Sequence, residues 1–192
     1  MPTIKQTTVF KFDELDERAK ERARDWYREG ALDYEWWDCV YDDAKQCLAL
    51  AGFDVDRIYF SGFSSQGDGA CFEGSWAAHA AKPVKAMKEH APKDKELHRI
   101  AAAMRAIARS DKSASMSVRQ SGHYYHDGCT SFSVEARTSE IEEVIIEASR
   151  DAMRWIYRRL EAEYEYLMSD EQVDESILAN EYDFDEEGRR SA

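Results

Sequence analysis

The pattern of hydrophobic and polar residues predicts two β-hairpins. The first has strands at residues 57–63 (RIYFSGF) and 70–76 (ACFEGSW), joined by a turn that contains glycine. The second has strands at residues 114–120 (ASMSVRQ) and 130–136 (TSFSVEA), joined by a polar turn. β-Branched and aromatic residues bounded by turn residues are typical of antiparallel strands.

Apolar residues spaced three and four positions apart predict helices around these hairpins. The helices are expected at about residues 13–29, 34–50, 83–109, 140–168 and 171–178. Pro92 lies inside the third of them, and we expect two helices there because proline removes a backbone donor and clashes with the preceding turn. If residues 83–109 form two helices that run in opposite directions, both hairpin turns lie at one end of the sheet. If they form a single continuous helix, the two turns lie at opposite ends.

Residues 7–12 (TTVFKF) alternate in the same way and predict an N-terminal strand. Together these elements predict an α+β fold, with an antiparallel sheet of four to five strands and helices packed on one face. The length of 192 residues fits one domain, and the sequence contains no internal repeat and no linker rich in proline, glycine or serine. We therefore expect a single domain over residues 1–192, with an acidic segment at residues 169–192 docked on it.

The composition narrows the range of partners. The chain has 39 acidic and 26 basic residues and a net charge of -13. Phosphate backbones and anionic membranes repel such a chain, so we expect no direct nucleic-acid or membrane partner. The sequence shows neither an apolar run of about 18 residues nor a secretory signal at its start. Four cysteines without a CxxC pair indicate reduced thiols, a cytoplasmic location and no cofactor.

The negative charge is concentrated near the C-terminus, where residues 161–187 contain twelve acidic residues and no lysine or arginine. The acidic residues are Glu161, Glu163, Glu165, Asp170, Glu171, Asp174, Glu175, Glu181, Asp183, Asp185, Glu186 and Glu187. Aromatic residues, including Tyr182 and Phe184, are interleaved with them, although a purely solvating acidic tail carries few aromatics.

Two interpretations of this segment remain open. It is either a solvated face with a tail docked on its own domain, or a surface for a basic partner, on which carboxylates imitate phosphates. Trp36 is added to the second interpretation, because adjacent residues on a helix lie about 100° apart and Trp36 and Trp37 cannot both face inward. On this view the partner-binding residues are the twelve acids with Tyr182, Phe184 and Trp36.

The second hairpin turn contains the densest group of ligand-type residues. His123, His126 and Asp127 could bind a metal ion if Asp68 of the first turn came near. A solvent-exposed turn is the simpler interpretation. Since the sequence has neither a P-loop nor a GxSxG motif, a non-enzymatic role is favoured over an enzymatic one.

Four segments resemble a family of small acidic proteins of tailed bacteriophages and prophages, some of which are labelled antitoxin-like. The segments are ARDWYREGALDYEWWDCVYDDAK (23–45), IYFSGFSSQGDGACFEG (58–74), APKDKELHRI (91–100) and DESILANEYDF (174–184). The resemblance runs over most of the chain and brings no catalytic residues with it. It implies expression inside an infected bacterium, where small acidic phage proteins disable host machinery.

Three functional hypotheses follow. The first is a DNA-mimicking inhibitor of a host nucleic-acid-handling defence complex, of the anti-CRISPR or anti-restriction type, which binds a basic protein surface. The second is a small metal-dependent enzyme with its site between the turns that contain Asp68 and His126. The third is an antitoxin-like protein that sequesters a basic protein. The first is favoured on the charge pattern.

Overall fold

A computed structural model describes residues 8–191 and shows an α+β fold. The helices are α1 (Glu17–Gly30), α2 (Asp38–Leu50), α3 (Val84–His90), α4 (Lys95–Ser110), α5 (Ser139–Leu167) and α6 (Asp170–Ala179). The strands are β1 (Phe53–Ser61), β2 (Gly69–Ala77), β3 (Ser115–Gln120) and β4 (Thr130–Glu135). The predicted fold class and both predicted hairpins are confirmed. None of the described helices is long and apolar enough to cross a lipid bilayer.

The four strands form one antiparallel sheet in the order β1-β2-β3-β4. The central pair joins the two hairpins, with Ala77 of β2 opposite Ser115 of β3 and Gly74 opposite Val118. Both hairpin turns therefore lie at the same end of the sheet. Pro92 separates α3 from α4, as its position in the sequence predicts.

One face of the sheet is buried beneath helices. In β3, Met116 and Val118 are buried, while Ser117 and Arg119, which alternate with them along the strand, are exposed. Trp76 of β2 is also buried, and its indole nitrogen donates a hydrogen bond of 2.9 Å to the carbonyl oxygen of Ala51. The helices supply the rest of this core through fully buried residues: Leu97, Ile100, Met104, Ile145, Met153 and Ile156.

The described residues group into two compact units, where the sequence predicts one domain. The sheet unit comprises Trp37–Glu161 and contains the four strands. The terminal unit comprises residues 8–36 and 162–191, so α1 and α6 belong to it. Its core consists of seven buried residues: Phe12, Leu15, Ala19, Ala23, Val173, Ile177 and Phe184.

The predicted N-terminal strand is absent from the described part of the chain, and its first residue, Thr7, lies outside that part. Phe10 forms only an isolated antiparallel bridge with Phe184, and Phe12 begins a short 3-10 turn. The rings of Phe12 and Phe184 pack 6.4 Å apart in the terminal unit. The aromatic residues of this segment therefore serve the core of the terminal unit rather than the sheet, a case in which tertiary packing overrides β-propensity.

Candidate functional site

Several carboxylates of the acidic segment are paired with cations of α1. Asp174 accepts two hydrogen bonds from the guanidinium of Arg24, at 2.6 and 2.8 Å. Asp170 accepts a single hydrogen bond from the guanidinium of Arg28, one turn away on α1. The bond to Asp174 raises the pKa of Arg24 above its already high ordinary value. α6 is thus attached to α1 by charge as well as by the buried residues Val173 and Ile177.

The residues that follow α6 are paired as well. Asp183 lies 2.7 Å from the ammonium of Lys11. Arg189 contacts Asp185 and Glu187, each at 2.8 Å. The hydrogen bond from Arg189 holds the pKa of the Asp185 carboxyl below its usual value. Five of the twelve acidic residues are therefore neutralised by the protein's own basic residues, which limits the surface that a partner could use.

The other seven acidic residues form no ion pair with any residue of the described chain; they are Glu161, Glu163, Glu165, Glu171, Glu175, Glu181 and Glu186. Glu171, Glu175 and Leu178 share one side of α6, because residues four and three positions apart lie in line on a helix. All three are exposed, Leu178 to 48%. We call this group the α6 outer stripe. It lies opposite the buried residues of α6.

The structure buries two of the three aromatic residues predicted to contact a partner, Phe184 and Trp36. Phe184 is 0% exposed, and its ring packs 5.7 Å from that of Trp26. Tyr182 is half-buried, with the guanidinium of Arg190 4.9 Å from its ring. Trp36 is only 7% exposed and packs against Tyr164, so Trp37 is the more exposed member of that pair. A partner cannot reach Phe184 or Trp36, because both serve packing inside the terminal unit.

The two hairpin turns come together at their shared end of the sheet. A Cβ added at Gly67 would lie 3.0 Å from the ring of Tyr124, and one at Gly69 would lie 2.6 Å from Cβ of His126. Only glycine allows such close approach of the two turns. The predicted neighbourhood of Asp68 and His126 is thus real, and both residues line one shallow cavity.

The polar groups in these turns are nevertheless used locally. The Asp68 carboxylate accepts hydrogen bonds from the backbone amides of Ser64 and Ser65 at 2.9 and 2.7 Å, which lower its pKa. The carboxylate of Asp127 lies 2.5 Å from the guanidinium of Arg154.

The histidines of the second turn are engaged in a similar way. His126 Nδ1 accepts a hydrogen bond of 3.0 Å from the amide of Gly128, and the ring of His123 lies edge-on to that of Tyr124. Across residues 8–191, these side chains do not converge as a ligand set. The described structure therefore shows no preformed ligand set at Asp68, His123, His126 and Asp127, and this alternative metal site stays a prediction.

A different group of ligand-type side chains does converge in the sheet unit. The ligand atoms of Asp43, Cys47 and His90 all lie within 4.8 Å of one another. Sequence reasoning missed this group, because it tested the cysteines only against CxxC spacing. The spacing of Asp43 and Cys47, four residues apart on α2, was the available signal.

A family model described as "Domain of unknown function (DUF8835)" matches residues 36–170, a span that includes the whole sheet unit. No curated protein and no solved structure matches the chain.

Proposed function

We propose the function of this chain, which belongs to the family described as a domain of unknown function (DUF8835), from its charge distribution. It is an acidic binding protein whose terminal unit occupies a basic surface of a partner protein. One observation carries this proposal. The described part of the terminal unit has 20 acidic and 8 basic residues, whereas the sheet unit has 19 and 17. The net charge of the protein thus resides almost entirely in the terminal unit.

The α6 outer stripe is the centre of the proposed surface. Glu171 and Glu175 are exposed and form no ion pair with the described basic residues, so both carboxylates are accessible to a cationic surface. Leu178 adds apolar contact area beside them. Clustered charge of one sign speeds encounter with a surface of the opposite sign, and apolar contact then slows dissociation.

The resemblance to phage proteins supports a more specific target. A nucleic-acid-handling defence complex of a bacterial host, of the CRISPR or restriction type, presents a basic groove that normally holds phosphates. An acidic protein that competes for this groove acts as a DNA mimic, in the host cytoplasm and without binding nucleic acid itself. An antitoxin-like protein that sequesters a basic toxin would use the same surface and differ only in its partner.

Charge reversal on α6 tests the proposal. The double variant Glu171→Lys/Glu175→Lys changes two exposed carboxylates of the α6 outer stripe. The matched control is Glu135→Lys/Glu143→Lys, which makes the same change in total charge at exposed residues of the sheet unit that form no ion pair in the described chain. A difference between the variants therefore reports the location of the charge and not its amount.

The readout is phage plating efficiency in strains that carry defined CRISPR or restriction systems, followed by binding to the purified complex at increasing salt. We expect the wild-type protein and the control to protect phage against at least one system. The α6 variant should bind at least tenfold more weakly, and wild-type binding should weaken as salt is added. Protection against none of the systems would refute the anti-defence role, and equal binding by both variants would refute the α6 surface.

A further inference from the structure

The cluster of Asp43, Cys47 and His90 belongs to the sheet unit, whereas the α6 outer stripe belongs to the terminal unit. Asp43 and Cys47 project from one face of α2, and His90 is the last residue of α3. α2 and α3 pack against each other, which brings the two helices' side chains together. The three side chains also line one cavity of about 300 Å³, together with Asp94, Trp155 and Arg159.

We propose that Asp43, Cys47 and His90 bind a zinc ion, with the fourth coordination position open to water or to an anionic ligand. One carboxylate oxygen, one thiolate sulfur and one imidazole nitrogen form a donor set that suits zinc better than magnesium or calcium, which prefer oxygen alone. Three protein ligands with an open position are typical of reactive zinc sites rather than of structural ones.

The distances fit a site that closes slightly on binding. In tetrahedral coordination, the ligand atoms of such a set lie about 3.3 to 3.6 Å apart, given zinc bond lengths of about 2.0 to 2.3 Å. Here Nε2 of His90 lies 3.9 Å from Oδ1 of Asp43, and every pair of ligand atoms lies within 4.8 Å. Because His90 is exposed at a helix end, a change of its side-chain rotamer can shorten its distances to the other two ligand atoms, which must close by at most about 1.5 Å.

The neighbouring residues have defined roles in this arrangement. Oδ2 of Asp43 lies 3.7 Å from the guanidinium of Arg159, so Arg159 holds the carboxylate while Oδ1 faces His90. Charged partners of this kind orient metal ligands. Asp94 is already engaged, since it accepts hydrogen bonds from the indole of Trp155 at 2.7 Å and from the amide of Leu97 at 2.9 Å.

The same Arg159 defines what the open position would accept. It contacts the Asp43 carboxylate and lines the cavity beside the cluster, as Lys93 also does. A small anion, such as a carboxylate or phosphate group, could bind the metal with one oxygen and Arg159 with another.

Binding must displace a proton. Burial raises the pKa of the Cys47 thiol to about 12, so the metal-free thiol is neutral near pH 7. On binding, the S–H bond breaks, a Zn–S bond forms and the proton passes to water.

Cobalt(II) is the direct probe, because it replaces zinc and a cobalt–thiolate bond gives an intense charge-transfer band in the near ultraviolet. The full-length protein is stripped with a chelator and titrated with Co²⁺, and Zn²⁺ is then used to displace the cobalt. We expect one Co²⁺ per chain, the thiolate band, and displacement by Zn²⁺. The variants Cys47→Ser and His90→Gln should lose the band or bind at least tenfold more weakly.

Two variants serve as matched controls: Cys39→Ser removes an exposed thiol from the same helix, and Cys129→Ser removes the thiol beside His126. Both should bind Co²⁺ as the wild-type protein does. Absence of the band in the wild-type protein, or its persistence in Cys47→Ser, would overturn the proposal, and its loss in Cys129→Ser would place the metal at the hairpin turn instead. If Cys47→Ser fails to fold, the exposed His90→Gln variant decides the outcome.

Discussion

At the scale of single residues, Asp111 is the most fully enclosed carboxylate of the sheet unit. It caps the C-terminal end of α4 and is completely buried. Its oxygens accept hydrogen bonds from the amide and hydroxyl of Ser113 at 3.1 and 2.7 Å, and from the amide of Arg137 at 2.8 Å. These bonds, led by the hydroxyl of Ser113, lower the pKa of Asp111. One carboxylate thus joins the start of β3 to the segment that follows β4.

The lowered pKa of Asp111 makes stability dependent on pH. Its contribution is fully present above the unfolded-state value of about 3.9, and it is lost as the pH falls through the lower value of the folded state. We expect Asp111→Asn to be less stable than the wild-type protein at pH 7 and the difference to shrink toward pH 2. Urea denaturation across this range measures it.

Asp33→Asn, at an exposed acidic residue with no ion pair in the described chain, is the control for the Asp111 experiment. It should stay within about 0.5 kcal/mol of the wild-type protein throughout. A constant difference between Asp111→Asn and the wild-type protein at every pH would show that packing, rather than charge, accounts for the loss.

At the scale of elements, the terminal unit depends on one aromatic cluster. Phe184 lies between Phe12 of the N-terminal turn and Trp26 of α1, and its backbone pairs with that of Phe10. Gly188 completes this contact, because a Cβ there would lie only 2.0 Å from the carbonyl oxygen of Ala19. The C-terminal segment is therefore an integral part of the unit and not an appended tail.

Removal of the Phe184 ring should destabilise the terminal unit. Phe184→Ala deletes a fully buried ring, and such truncations cost about 3–5 kcal/mol. The matched control is Tyr166→Ala, which removes an aromatic ring that is mostly exposed and should change stability by less than about 0.5 kcal/mol. Chemical denaturation followed by tryptophan fluorescence reports the effect through Trp26. Equal losses in both variants would contradict the role assigned to Phe184.

Local sequence patterns predicted most helices and strands. They did not predict contacts between residues that are distant in the sequence. The hairpins and the break at Pro92 follow from turn residues and periodicity, and the structure places them within a few residues of the predicted limits. The pairing of Arg24 with Asp174 joins positions 150 residues apart, and no local pattern encodes it. The same holds for His90, which meets Asp43 only because α3 packs on α2. The sequence shows where the acidic residues are concentrated. It does not show which of them form ion pairs with the protein's own basic residues, because pairs such as Arg24 with Asp174 depend on tertiary contacts.

At the scale of the whole molecule, the excess of acidic residues and the proposed metal ligands belong to different units. The terminal unit carries the excess of acidic residues, and the sheet unit carries the ligand cluster and the cavity beside it. α5 crosses the boundary, since its residues up to Glu161 belong to the sheet unit and the rest to the terminal unit. The two proposals can therefore be tested independently in one protein.

Hydrogen exchange should resolve the two units as separate cooperative regions, because contiguous structural units open independently. In Phe184→Ala, we expect amides of α1 and α6 to exchange at least tenfold faster than in the wild-type protein. Amides of β2 and β3 should keep their protection. A uniform increase of the exchange rates across the chain would show that the protein opens as a single unit, which is what the single-domain prediction requires.

The bridge between Phe10 and Phe184 has a consequence for biosynthesis. The sheet unit is continuous in sequence and has all its residues once the ribosome has passed Glu161, but α1 must wait for Val173, Ile177 and Phe184 before its apolar side is covered. At elongation rates of about 5–20 residues per second, this delay is on the order of ten seconds. During that interval the nascent chain presents an uncovered amphipathic helix, which is the kind of surface that chaperones recognise.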